Sequence, residues 1–202
     1  MPTRKGLNIW FIRRQFEMDP NYIAMLFTEK KELILKYKCP HMNSGNHHKE
    51  IVKQLKDLLL AGNAHVSLNN AFKDVPEKIR GMVPDKLPYS IWQLAEHIRI
   101  AQRDILEFSR NPRHISPKWP EGYWPKENAP KDDAAWKNCI VQIKKDREAF
   151  IELLEDIEVD LYKPFPHGEG QNLLREALLI ADHNSYHVGE IIAIRRMLGD
   201  WK

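Results

Sequence analysis

Three histidines and one glutamate carry most of the chemistry that this sequence offers. His183 and His187 are four positions apart, so on a helix their imidazoles lie one turn apart on the same face, a spacing that lets both coordinate one ion. His97 lies far away in the chain, beside Leu94 and Ala101 on the inward side of another helix, where an unpaired polar ring would be costly. Three imidazoles from two helices make an open tripod. Catalytic zinc sites keep three protein ligands and leave the fourth position to water or substrate, whereas structural sites are usually closed by four. The same residues admit a blander reading, three hydrogen-bonded core histidines that bind nothing.

Glu190 stands three residues past His187 on the same face. A carboxylate there can accept from a ligand imidazole and fix its tautomer, or take a proton from water or thiol; an exposed helix glutamate fits the spacing equally well. His65 falls on the stripe of a first helix at a height similar to His97, which makes it a fourth ligand, a group over the open position, or a satisfied core histidine. Glu190 and His65 are the candidate catalytic residues. Glu96 and Asp182 are expected to be solvated. His167 is expected in a loop too far along the bundle axis to reach the ion, and His41, His47 and His48 are expected at the surface.

The elements that must position these groups are helical. From about residue 47, Ile51, Leu55, Leu58, Gly62, His65, Asn69 and Phe72 step by four and three, which draws one stripe on a first helix. A second helix begins at Ser90, with Gln93 as a capping-box partner, and ends at Asn111-Pro112. A third is expected from Asp132 to Ile157. A fourth, about 28 residues long, follows Gly168-Glu169-Gly170 and stops at Gly199. No strictly alternating apolar run competes with them, so the fold class is all-α, a four-helix bundle. Between the second and third helices, Pro112, Pro117, Pro120, Pro125 and Pro130 hold the chain extended. Roughly 20 extended residues reach up to ~66 Å, against ~30 Å for a 20-residue helix, so a crossover can join parallel helices in an up-down-down-up order. Trp119, Tyr123 and Trp124 in that crossover are either a lid or apolar wall for a substrate or rings that pin the loop to the bundle.

At 202 residues the chain suits one domain with a full core. Residues 1–41 hold eight Lys/Arg against four Asp/Glu and lack a long amphipathic pattern; they are read either as an N-terminal extension upstream of a start at Met42 or as a packed N-terminal helix using Tyr22, Ile23, Met25 and Leu26. The domain is then 42–202. From Met42 onward the charges nearly cancel, which gives no basic stripe for phosphates and argues against a nucleic-acid partner. No apolar run approaches the ~18 residues of a membrane span. Cys39 and Cys139 cannot build a disulfide framework, so a reducing, cytoplasmic location is expected.

The segments Ser90-Ile91-Trp92-Gln93-Leu94-Ala95-Glu96-His97-Ile98 and Ala181-Asp182-His183-Asn184-Ser185-Tyr186-His187-Val188-Gly189-Glu190-Ile191 resemble the two signatures of the DinB/YfiT-like family, over about residues 47–200. The resemblance implies an up-down-down-up bundle and one divalent ion, zinc or nickel, on His97, His183 and His187. The commoner family ending has glutamine where this chain has Glu190. The family's enzymes include transferases and isomerases that use low-molecular-weight thiols, and dimers are frequent. Two functions follow as expectations. In one, the metal activates a small thiol or water for attack on an electrophile, as in a thiol transferase or hydrolase. In the other, a non-catalytic or stress-related bundle uses the ion to hold two helices together.

Overall fold

The computed structural model describes residues 44–201. The division at residue 41 and His41 itself lie outside the described residues. Within them the chain forms six α-helices, one short 3-10 turn and no strand: α1 (Ser44–Ala61), α2 (Leu68–Phe72), α3 (Glu77–Arg80), α4 (Ile91–Arg110), the turn Glu121–Tyr123, α5 (Asp133–Glu155) and α6 (Leu173–Met197). None of these helices is long and apolar enough to cross a membrane.

The long helices begin where side chains satisfy their first backbone N–H groups. Ser90 accepts from Gln93 N while the Gln93 side chain answers at the Ser90 N–H, a complete capping box. Asp132 and Asn172 cap α5 and α6 by accepting from the amides three residues on. At its far end α6 closes on Gly199, whose φ of +73° suits a residue without Cβ.

One expected helix is two. The stripe that runs from Ile51 to Phe72 breaks at Gly62, which takes φ +72°, with Asn63 also at positive φ. A Cβ on Gly62 would lie 3.1 Å from the His65 ring, so the turn needs glycine twice over, for its backbone and for its space. His65 is therefore in a loop rather than on a helix, and Ser67 caps a new short helix, α2. The helical spacing of 62, 65, 69 and 72 survives because the chain resumes on the same side of the core. The fourth helix is 25 residues, Leu173–Met197, a few residues shorter than expected.

Two apolar clusters give the topology. One joins Ile91, Leu94 and Ile98 of α4 with Trp136 and Ile143 of α5 and with Ile191 and Ile194 of α6. The other joins Leu106 of α4 with Phe150 and Leu154 of α5, Leu173 and Ile180 of α6, and Val52, Leu55 and Leu59 of α1. The starts of α4 and α5 thus share one end of the bundle while α6 brings its finish there, so α4 and α5 run parallel and α6 runs against both. Helix α1 enters at the second cluster and hands on to α2, whose Leu68 and Phe72 lie in the first. The order is up-down-down-up over α1, α4, α5 and α6, with the crossover between α4 and α5.

Between the clusters lies a polar layer. Asn184 Nδ2 donates to Gln102 Oε1 at 3.1 Å, Gln102 Nε2 donates to the Ile143 carbonyl at 2.6 Å, and Arg147 Nη2 donates to Asn69 Oδ1 at 2.9 Å. Gln102, Arg147 and Asn184 are all buried, and each would destabilise the fold without such a partner. His183 and His187 flank Asn184 on α6, and His97 of α4 meets them there.

Candidate metal centre

His97 is one residue short of two turns into α4, and its ring is buried. Its Nδ1 lies 2.9 Å from the Tyr123 carbonyl, an acceptor only, so Nδ1 carries the proton and Nε2 keeps its lone pair. His187 is fixed by the same logic. Its Nδ1 lies 2.7 Å from Glu190 Oε2, one turn along α6, which leaves Nε2 as the free lone pair. His183 presents Nε2 at 3.0 Å from His97 Nε2. Ring centroids are 4.9 Å apart for His97 and His183, 4.7 Å for His97 and His187, and 4.5 Å for His183 and His187. The three ligand nitrogens lie within 4.8 Å of one another, and the group can hold a metal ion.

The electrostatics favour neutral rings. Burial pushes His183 and His187 down to about 4, with the neighbouring imidazoles adding to the effect. Burial also lowers His97, against the Tyr123 carbonyl and the Glu190 charge. The His187–Glu190 contact is therefore a neutral imidazole donating to a carboxylate. Burial in turn raises Glu190, offset in part by the Tyr186 hydroxyl and by His97. An ion that needs lone pairs finds them already free of protons.

The crossover holds the site from one side. Trp124 stacks on His97 with centroids 3.9 Å apart and planes at 4°, and Tyr89 stacks on Trp124 at 4.3 Å. Tyr123 donates its hydroxyl to Asp104 Oδ2 at 2.5 Å, while His114 Nε2 meets Asp104 Oδ1 at 2.7 Å. Burial and the Asp104 carboxylate push the Tyr123 hydroxyl up to about 12, so it remains a donor. Ser90 Oγ donates to the Asn128 carbonyl farther along, so the strap is tied to α4 at both ends. Tyr123 and Trp124 pin the loop to the bundle, and with Trp119 they line a cavity of about 460 Å³ in front of the tripod.

The remaining candidates fall elsewhere. His65 lies on the other flank of α6, with Nε2 3.0 Å from Ser185 Oγ and Nδ1 2.8 Å from the Val66 carbonyl, and it is not among the residues lining the cavity. Glu96 is not simply solvated: it is half-buried and takes both guanidinium donors of Arg99. Asp182 and His47 are exposed as expected, whereas His48 is half-buried. His167 lies in the loop before α6, where its Nε2 donates to the Phe108 carbonyl. Cys139 is a buried free thiol whose pKa burial and Glu96 push up, so it is no nucleophile. Asp104 was missed by sequence reasoning, although it stands two turns beyond His97 on the same face of α4 and that spacing could have found it.

A family model described as the DinB superfamily matches residues 63–191, more than half of the 202-residue chain. The chain belongs to the DinB superfamily. The match takes in His97, His183, His187 and Glu190 together with the whole crossover. No curated protein and no solved structure shows a significant match to the chain. Within this DinB bundle the donor set itself fits a divalent ion: three neutral imidazoles on two rigid helices, two with tautomers fixed by acceptor-only partners.

Proposed function

We propose that this DinB-superfamily chain is a metal-dependent enzyme that holds one zinc or nickel ion on His97, His183 and His187 and activates a small thiol or a water for attack on an electrophile. The observation that carries this reading is the open side of the tripod. Among the described residues no fourth protein ligand closes the group, and His97, His183 and His187 all line the cavity bounded by the crossover. When bound, the ion would supply Lewis-acid charge that lowers the pKa of a water or thiol.

The chain's own groups do the rest. The Tyr123 carbonyl and Glu190 Oε2 hold the His97 and His187 rings so that both Nε2 lone pairs converge. Trp124 covers one face of His97 and keeps water from it. Glu190, raised by burial and lining the cavity, is suited to receive the proton that a thiol or water gives up. His65, held at Ser185, braces α6 behind the site rather than touching the substrate.

The test is turnover by the intact chain loaded with zinc or nickel. A thiol paired with an alkylating electrophile, and separately an activated ester, should be consumed only with metal present, and His187→Ala should abolish the reaction. The tripod also bridges α4 and α6, so an ion there would tie the two helices. If loaded protein binds no thiol and turns over neither substrate, while chelation sharply lowers the melting temperature, the ion is structural and the enzyme reading falls.

A further inference from the structure

The cavity in front of the tripod is walled by rings and hydrocarbon. Trp119, Tyr123 and Trp124 come from the crossover, Tyr89 from the segment before α4, and Leu179 and Tyr186 from α6. Ionisable side chains other than the three histidines are few on this wall. Asp104 and Glu190 line it, and among the described residues no lysine or arginine does.

Both carboxylates are already engaged in part. Asp104 uses one oxygen on Tyr123 and the other on His114, and Glu190 uses Oε2 on His187. With a divalent ion and three neutral imidazoles, these two negative charges balance the ion's two positive ones. A ligand body lying against the aromatic wall therefore meets rings and methyl groups, with no cation to pair with a carboxylate of its own. Burying an unpaired carboxylate is costly, while an uncharged aromatic or aliphatic body gains contact with the rings.

We infer that the cavity is selective for ligands with one metal-binding head and an uncharged aromatic or aliphatic body, and that it rejects thiols carrying further carboxylates. This rests on the proposed open metal position for the head group, and on the cavity wall alone for the body. The wall selects by desolvation, and the expected discrimination against a carboxylate is about ten-fold or more.

The experiment compares benzyl mercaptan with 4-(mercaptomethyl)benzoic acid on the intact chain loaded with cobalt(II), whose absorption bands report the ligand shell. In parallel, tryptophan fluorescence of the metal-free chain is titrated with benzyl alcohol and with benzoate, neither of which needs the metal. The inference expects benzyl mercaptan to shift the bands at about one-tenth the concentration of its carboxylate analogue or less, and benzyl alcohol to bind in preference to benzoate. Leu179 is 40 % exposed at the rim, so Leu179→Arg is tolerated and adds the missing cation; it should narrow the gap between the two thiols. If neither thiol changes the bands while benzyl alcohol is still preferred, thiol activation falls and the selectivity of the wall stands. Equal or tighter binding of the carboxylate analogues in the natural chain, or no binding of any probe, overturns the inference.

Discussion

His97 and His183 face each other through Nε2 at 3.0 Å, with the far nitrogen of His97 committed to the Tyr123 carbonyl. Two nitrogens at that separation either share one proton or share one metal ion. His187 brings a third ligand nitrogen within 4.8 Å of the other two, so the group can hold one metal ion. The strap holds His97 and the Glu190 carboxylate holds His187, each through the ring nitrogen that faces away from the group.

Glu190→Gln replaces the carboxylate that fixes the His187 tautomer with an amide whose N–H₂ can equally well point at Nδ1. Metal affinity should fall by about 10- to 100-fold, measured by competition with a chelator of known affinity. Unchanged affinity would mean that Glu190 is a bystander.

Tyr123→Phe keeps the ring and removes the hydroxyl that anchors the strap to Asp104. A hydrogen bond to a charged acceptor contributes about 1.5–3 kcal/mol, so the denaturation midpoint should drop accordingly. The Tyr123 carbonyl loses its hold on His97 at the same time, and metal affinity should weaken by up to about ten-fold. A stability loss with no change in affinity would separate the strap from the site.

The helices α4 and α6 were legible because their signals are local. Ser90 with Gln93, Asn111-Pro112 and Gly199 mark ends within a turn of where they fall, and the three ligands share one level through fours and threes alone. The break at Gly62 was not legible, because glycine there sits in register with the apolar stripe and only its positive φ reveals the turn. That error carried His65 onto a helix it does not occupy. The Asp104–Tyr123 clamp and the Trp124 stack were also hidden, since they join residues 19 and 27 positions apart through a loop whose path depends on tertiary packing.

Gly62→Ala tests that turn. Positive φ costs a residue with Cβ about 1–2 kcal/mol, and the His65 ring at 3.1 Å adds to it, so thermal melts should show a clear loss. Gly189→Ala is the contrast: this helical glycine has nothing within 4 Å of an added Cβ, and the change should hold or raise the melting temperature.

Glu176 is buried on α6, and burial raises its pKa despite the partly exposed Arg175 beside it. A carboxyl whose folded pKa is above its unfolded value of 4.5 supports the fold below that pH and loses its support as pH rises through the folded value. Glu176→Gln should therefore be more stable than the natural chain at pH 7, and the gain should vanish near pH 4, as read from denaturant midpoints at both pH values. A loss of stability at pH 7 would mean that the Arg175 ion pair outweighs the burial.

The most direct test of the metal centre is metal content by elemental analysis, on tag-free protein, for the natural chain and His187→Ala side by side. The tripod predicts about one zinc or nickel per natural chain and none in the variant. No metal in either, even after zinc and nickel are offered, would contradict the account and leave the three histidines as a hydrogen-bonded part of the core.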